Sequence, residues 1–181
     1  EAVNTLVLEG AGTNANLGQN MRPDSDLPLY EVTGFRRTID FVNGRARQEQ
    51  TRTPKFPTGS PQAQKQTFGL DGDVAFSVGA NGQVNRQSAT VAKDRRAEWI
   101  LHYAIGIIRA ALDPAAKVAN HRKTAVMDVV DITTAKGETA TLALDVTTHL
   151  PLTVTTMTYN GNLGDVAIET TFSDYRNVDG L

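Results

Sequence analysis

Apolar and polar residues alternate with period two through most of this chain. From Thr139 to Thr147, Ala140, Leu142, Leu144 and Val146 alternate with Thr139, Thr141, Ala143 and Asp145. That is the pattern of a strand with one face in a core and one near water. Val166, Ile168 and Phe172 repeat it against Glu169, Thr171 and Ser173, and Val3–Leu8 is strand-like from the outset. The threonines in these stretches suit a half-exposed pleated surface. Asn43-Gly44, Asp71-Gly72 and Asn81-Gly82 punctuate the alternation with dipeptides that tolerate the positive φ of tight hairpins, and Lys136-Gly137 and Asn160–Gly164 mark two more reversals.

One segment changes period. Between Asp94 and Leu112, Ile100, Ala104, Ile108 and Leu112 fall at fourfold spacing, with Leu101, Tyr103, Ile107 and Ala111 beside them. This predicts a helix with a wide apolar stripe, favoured at its start by Asp94 and ended by Asp113-Pro114. Gly106 weakens its middle by about 1 kcal/mol relative to alanine and predicts a bend or a close contact there. Thr53–Gln64, with three prolines, and Ala11–Pro28, rich in Asn, Gly and Asp, read as loops. The expectation is an α+β domain: a curved antiparallel sheet of about eight to ten strands, a half-open barrel, wrapped over one long apolar helical segment.

The length, 181 residues, predicts a single domain spanning 1–181 that needs no metal or disulfide to fold. The chain has no cysteine, which excludes thiol catalysis and cysteine zinc sites. A net charge of −2 favours neither nucleic acid nor an anionic membrane, and no apolar run is long enough to span a bilayer. The last ten residues, Phe172–Leu181, read as a strand running into a turn with no return strand, and the first strand begins abruptly. Both ends predict a domain cut from a longer protein.

No local motif carries catalysis, and no cofactor or metal is expected. Gly10-Ala-Gly12-Thr-Asn-Ala15 fits a dinucleotide-binding pattern formally, but loop residues follow where a helix is required. None of His102, His121 and His149 stands at i+2 or i+4 from another, so there is no local metal pair. His102 lies four residues after Glu98, a helical contact spacing. Ser25, Ser60, Ser77, Ser88 and Ser173 sit in no nucleophile elbow. Asp71-Gly-Asp73 and Asp24-Ser-Asp26 lack the ligand order of a calcium loop and read as turns or caps. Arg36, Arg37, Arg45, Arg47, Arg52 and Lys55, interleaved with Phe35 and Phe41, give a basic hairpin. Glu31, Asp40 and Glu49 lie among them, so cross-strand ion pairing explains the cluster without nucleic acid.

The apolar helix either plugs the core or lines a cavity for an acyl chain or apolar peptide. For the second case the lining residues are Trp99, Tyr103, Ile107 and Ile108, the first two suiting a rim with an apolar body and a polar handle. An enzyme acting alone, through His102 with Glu98 or through a site assembled from the three histidines, is the third reading.

Asp145-Val-Thr-Thr-His-Leu-Pro-Leu152, the closing Phe172-Ser-Asp-Tyr-Arg-Asn-Val-Asp-Gly180 and the helix end Ile107-Ile-Arg-Ala-Ala-Leu-Asp-Pro114 resemble the periplasmic lipoprotein-carrier (LolA/LolB-like) family. In that family a proline often follows the helix histidine. Here Tyr103 follows His102, which predicts an unbroken helix. Leu6–Met21 and Asn162–Tyr175 are similar to the N-terminal domains of bacterial metallo-β-lactamase-fold hydrolases. The resemblance implies a periplasmic or secreted, non-catalytic accessory or apolar-ligand-binding domain, with a zinc hydrolase domain downstream and no catalytic residue in this chain. A free-standing lipid or lipoprotein carrier and a purely structural module with a filled core are the alternatives.

Overall fold

A computed structural model describes residues 3–57 and 62–177. Ser60, Pro61 and the turn expected at Val178–Leu181 lie outside the described residues. The alternating segments form two antiparallel meanders. Strands β1 (Thr5–Ala15), β2 (Leu29–Asp40), β3 (Arg45–Pro54), β4 (Gln64–Asp71), β5 (Val74–Val78) and β6 (Val84–Arg86) make a six-stranded sheet in sequence order. Strands β7 (Lys117–Lys123), β8 (Met127–Thr133), β9 (Thr139–Asp145), β10 (Pro151–Asn160) and β11 (Gly164–Thr171) make a five-stranded one, also in sequence order. All five reversals read from the sequence lie between consecutive strands. Gly44 (φ +62) and Gly137 (φ +85) show why glycine is placed at two of them, since a side chain there would strain the turn.

The expected half-open barrel over one long helix does not form. The chain is mostly β, with two sheets, no closed barrel and two short helices among the described residues. Helix α1 (Ala89–Arg96) starts five residues before Asp94, just after Ser88, whose Oγ accepts from the Val91 N–H at 3.3 Å. It passes into a π-helical turn, Ala97–Leu101, and the chain then leaves helical geometry at Tyr103 (φ −119, ψ 140) before α2 (Ala104–Leu112) begins. The break is not at Gly106, which lies buried within α2. It falls beside His102, whose ring is buried and bonded at both nitrogens, Nε2 to Thr156 Oγ1 and Nδ1 to Thr170 Oγ1, each at 2.8 Å. Seating that ring between β10 and β11 satisfies four polar groups away from water, which outweighs the few helical bonds given up at the break. No described helix is long and apolar enough to cross a membrane.

The chain divides into two compact units. One comprises Asn4–Ala92 with the hairpin tip Tyr159–Asp165. Its sheet buries Val32, Ile39, Ala46, Leu70 and Ala75. The other contains Lys93–Thr158 and the chain from Val166 onward. Its core is Leu101, Ile107, Ile132, Ala140, Leu142 and Val154, with Ile108 and Phe172 packed against it. Arg96 and Glu138 form an ion pair at 2.6 Å inside this unit, with side chains only 14% and 4% exposed.

Candidate binding face

The register of the six-stranded sheet sorts its charges by face. Arg36, Arg45, Arg47 and Lys55 project with the carboxylates and pair with Glu9, Asp71, Glu49 and Glu31 at 2.7–3.1 Å. The cross-strand ion pairing expected for the basic hairpin therefore holds for Arg36, Arg45 and Lys55, while Arg47 pairs with Glu49 along its own strand. Arg37 and Arg52 fall on the other face. There Arg37 stands opposite Gln48, Arg52 opposite Val32 and Gln64, Gln50 opposite Gln66, and Gln48 opposite Phe68. Along the paired strands that face carries two guanidiniums, several amides and no carboxylate, together with the unit's buried Val32, Ile39, Ala46, Leu70 and Ala75.

The amides are linked in a row. Arg37 Nε donates to Gln48 Oε1 at 2.8 Å, Gln48 Nε2 to Gln50 Oε1 at 3.2 Å, and Gln50 Nε2 to Gln66 Oε1 at 2.8 Å. Elementary chemistry sets the direction. A guanidinium only donates, so Gln48 must turn its oxygen to Arg37 and its nitrogen to Gln50. The same constraint passes to Gln50 and then to Gln66. The Gln66 amide nitrogen ends the row with no acceptor among the described residues. Gln48 and Gln50 are 8% and 7% exposed, so the order costs little side-chain freedom beyond what burial has removed already.

Arg52 is held beside this row. Its guanidinium carbon lies 3.4 Å from the centre of the Tyr30 ring, and Tyr30 itself meets Phe56 edge-on at 5.1 Å. Nε donates to Asn14 Oδ1 at 2.8 Å and Nη2 to Asn16 Oδ1 at 2.9 Å. Burial pushes its pKa below the usual arginine value, partly offset by Tyr30. Next to it the sheet is incomplete. Pairing of β4 with β5 begins only at Thr67 and Val78, so Gln64–Gln66 have a strand neighbour on one side alone. A cavity of about 750 Å³ opens at that edge; Gln64 and Gln66 line it, but so do Arg47, Glu49, Lys65 and Thr67 of the ion-paired face, and Arg52 is not among its lining residues.

The residues expected to line an apolar site lie in the other unit. Ile107 has no exposed surface and sits in the core with Ile108 against it, Trp99 is 4% exposed, and Tyr103 is half-buried at the helix break. His102 is pinned by its two threonines, and burial lowers its pKa despite the opposing field of Glu98. His121 bonds Asp128 at the surface at 2.7 Å, and His149 closes the turn after β9 with its N–H on the Asp145 carbonyl. The three histidines are not brought together by the fold. Gly10 and Gly12 lie within β1 at a register shift, a β-bulge rather than the start of a helix. Sequence reading missed the amide row because Gln48, Gln50 and Gln66 look like ordinary strand surface. The only hint was that three glutamines fall on the same phase of adjacent strands.

No protein-family model, no curated protein and no solved structure matches this chain. What the fold and the site define is a two-sheet antiparallel protein with a donor-rich face on its six-stranded sheet.

Proposed function

We propose that the chain is a non-catalytic binding domain, an exported carrier or accessory module, which holds its ligand on the amide face of the six-stranded sheet. The observation that carries this reading is the enforced direction of the row from Arg37 to Gln66. It consumes the amide oxygens in series and ends on the unused Gln66 amide nitrogen beside Arg52, an arrangement suited to holding an acceptor group in place. Titratable groups that the fold draws inward, His102 and Glu138, are engaged by Thr156, Thr170, Thr134 and Arg96, which also fits a binding role rather than proton transfer. The ligand class is an acyl or otherwise amphiphilic molecule. The accessory reading, as a module of a zinc-dependent hydrolase, rests on the resemblance of Leu6–Met21 and Asn162–Tyr175 alone.

Native mass spectrometry of gently purified protein, followed by calorimetric titration with octanoate, tests the proposal. A co-purifying or saturably bound amphiphile is the expected result. No bound species in either experiment sinks it. One observation favours the second reading, a structural module with a filled core: Ile107 and Leu101 close the apolar centre of their unit. That reading expects unfolding temperatures indifferent to added amphiphile, because only a ligand of the native state raises them.

A further inference from the structure

We infer that Arg52 is the anchoring cation for an anionic group on the ligand, a carboxylate or a phosphate. This rests on the binding role proposed above. The other strand-borne cations with nearby carboxylates are already neutralised on the opposite face, Arg36 by Glu9, Arg45 by Asp71, Arg47 by Glu49. Arg52 has only neutral partners among the described residues: the Tyr30 ring, Asn14 and Asn16. A guanidinium has five N–H donors in a rigid fork, and Asn14 and Asn16 take one each. Three donors and a full positive charge are left. Tyr30 stacking and the two asparagines fix the plane of the fork, so little freedom is lost when an anion docks on it in bidentate fashion.

The surroundings extend the same chemistry. Gln64 is the cross-strand partner of Arg52 and Gln66 follows two residues on along the same face. Gln66 offers the unused amide nitrogen at the end of the row. An anion at Arg52 would meet donors and no carboxylate on this face of the paired strands. A neutral ligand of the same shape would leave the charge uncompensated.

The test is calorimetric titration of the full chain with octanoate, octyl phosphate, octanol and inorganic phosphate, in wild type and in Arg52→Gln and Arg52→Lys. The charged amphiphiles should bind wild type about tenfold or more tighter than octanol, as charge-assisted bonds require. Arg52→Gln should abolish that preference and leave octanol unchanged, while Arg52→Lys retains part of it. Binding of inorganic phosphate as tight as octyl phosphate would assign the anion to a free ion rather than a lipid head. Equal affinity for octanoate and octanol in wild type, or an undiminished preference in Arg52→Gln, overturns the inference and leaves the binding role standing. If no amphiphile binds, the binding role fails, and the phosphate arm alone decides: binding lost in Arg52→Gln keeps the anion site, and no binding removes it. Should Arg52→Gln not fold, the salt dependence of wild-type binding reads the same charge, since an affinity indifferent to salt excludes an ionic anchor.

Discussion

Arg37 on β2 donates to Gln48 and thereby orients three glutamines on the next two strands. Because arginine cannot accept a hydrogen bond, the direction of the whole row is decided at its first residue.

Replacing Gln48 with leucine should therefore destabilise the protein by more than a single lost contact. It removes the acceptor of Arg37 and the donor to Gln50 from a site that is 8% exposed. A loss of about 1–3 kcal/mol is expected, measured by urea denaturation. A change below about 0.5 kcal/mol would show that the row is dispensable.

His102 should make stability depend on pH near neutrality. Its folded pKa lies below the ordinary value of 6.5 because burial disfavours the charged ring, while Glu98 opposes this weakly. The unfolded chain then takes up a proton first as pH falls. The contribution is intact above pH 6.5 and declines as the pH drops from there through the folded value. His102→Gln should flatten the stability profile between neutrality and mild acid. An unchanged profile would mean another group controls it.

Glu138 gives a separate, more acidic transition. Burial alone would raise its pKa, but the Thr134 hydroxyl and the Arg96 guanidinium outweigh burial and hold it below 4.5. Its stabilisation is present above the unfolded value and is lost as pH falls through the folded one. Glu138→Gln should cost about 3 kcal/mol at neutral pH, because the carboxylate beside a nearly buried guanidinium disappears. It should also remove this acid-induced step. A neutral-pH loss under about 1 kcal/mol would place the pair in the weak, solvated class.

Gly69 is required by Phe76. A Cβ at residue 69 would lie 2.0 Å from Phe76 Cζ, because the ring lies across the glycine of the neighbouring strand. Gly69→Ala should cost about 1–3 kcal/mol in thermal or chemical unfolding. In a Phe76→Ala background the same change should cost markedly less, since the clash is gone. Equal costs in both backgrounds would locate the strain elsewhere.

Much of the fold was legible in the sequence. Alternation at Thr139–Asp145 and Gly164–Thr171 marked strands β9 and β11, and each glycine-bearing dipeptide marked a reversal, because backbone geometry at a tight turn restricts residue type locally. The helix was misread at its centre. Periodicity from Ile100 to Leu112 reports which residues seek a core, and it reads the same whether the helix runs through or breaks at His102. The break depends on Thr156 and Thr170, more than fifty residues away. The candidate face was hidden for a related reason. Arg36, Arg37, Arg45, Arg47 and Arg52 form one basic cluster in the sequence, and only the pairing of β2, β3 and β4 divides them between two faces.

The sequence by itself determined the strongly alternating strands β9 and β11, the glycine-bearing turns and the placement of helix-forming residues, since these follow from side-chain period and from the φ angles each residue tolerates; it read Ala11–Ala15 as loop where β1 continues. Tertiary structure decided that the strands form two sheets, that the helical segment opens beside a buried histidine, and that Arg52 stands among amides rather than carboxylates. Those outcomes depend on which distant groups share a desolvated space, and in such a space an unmatched donor or charge costs more than any local preference supplies.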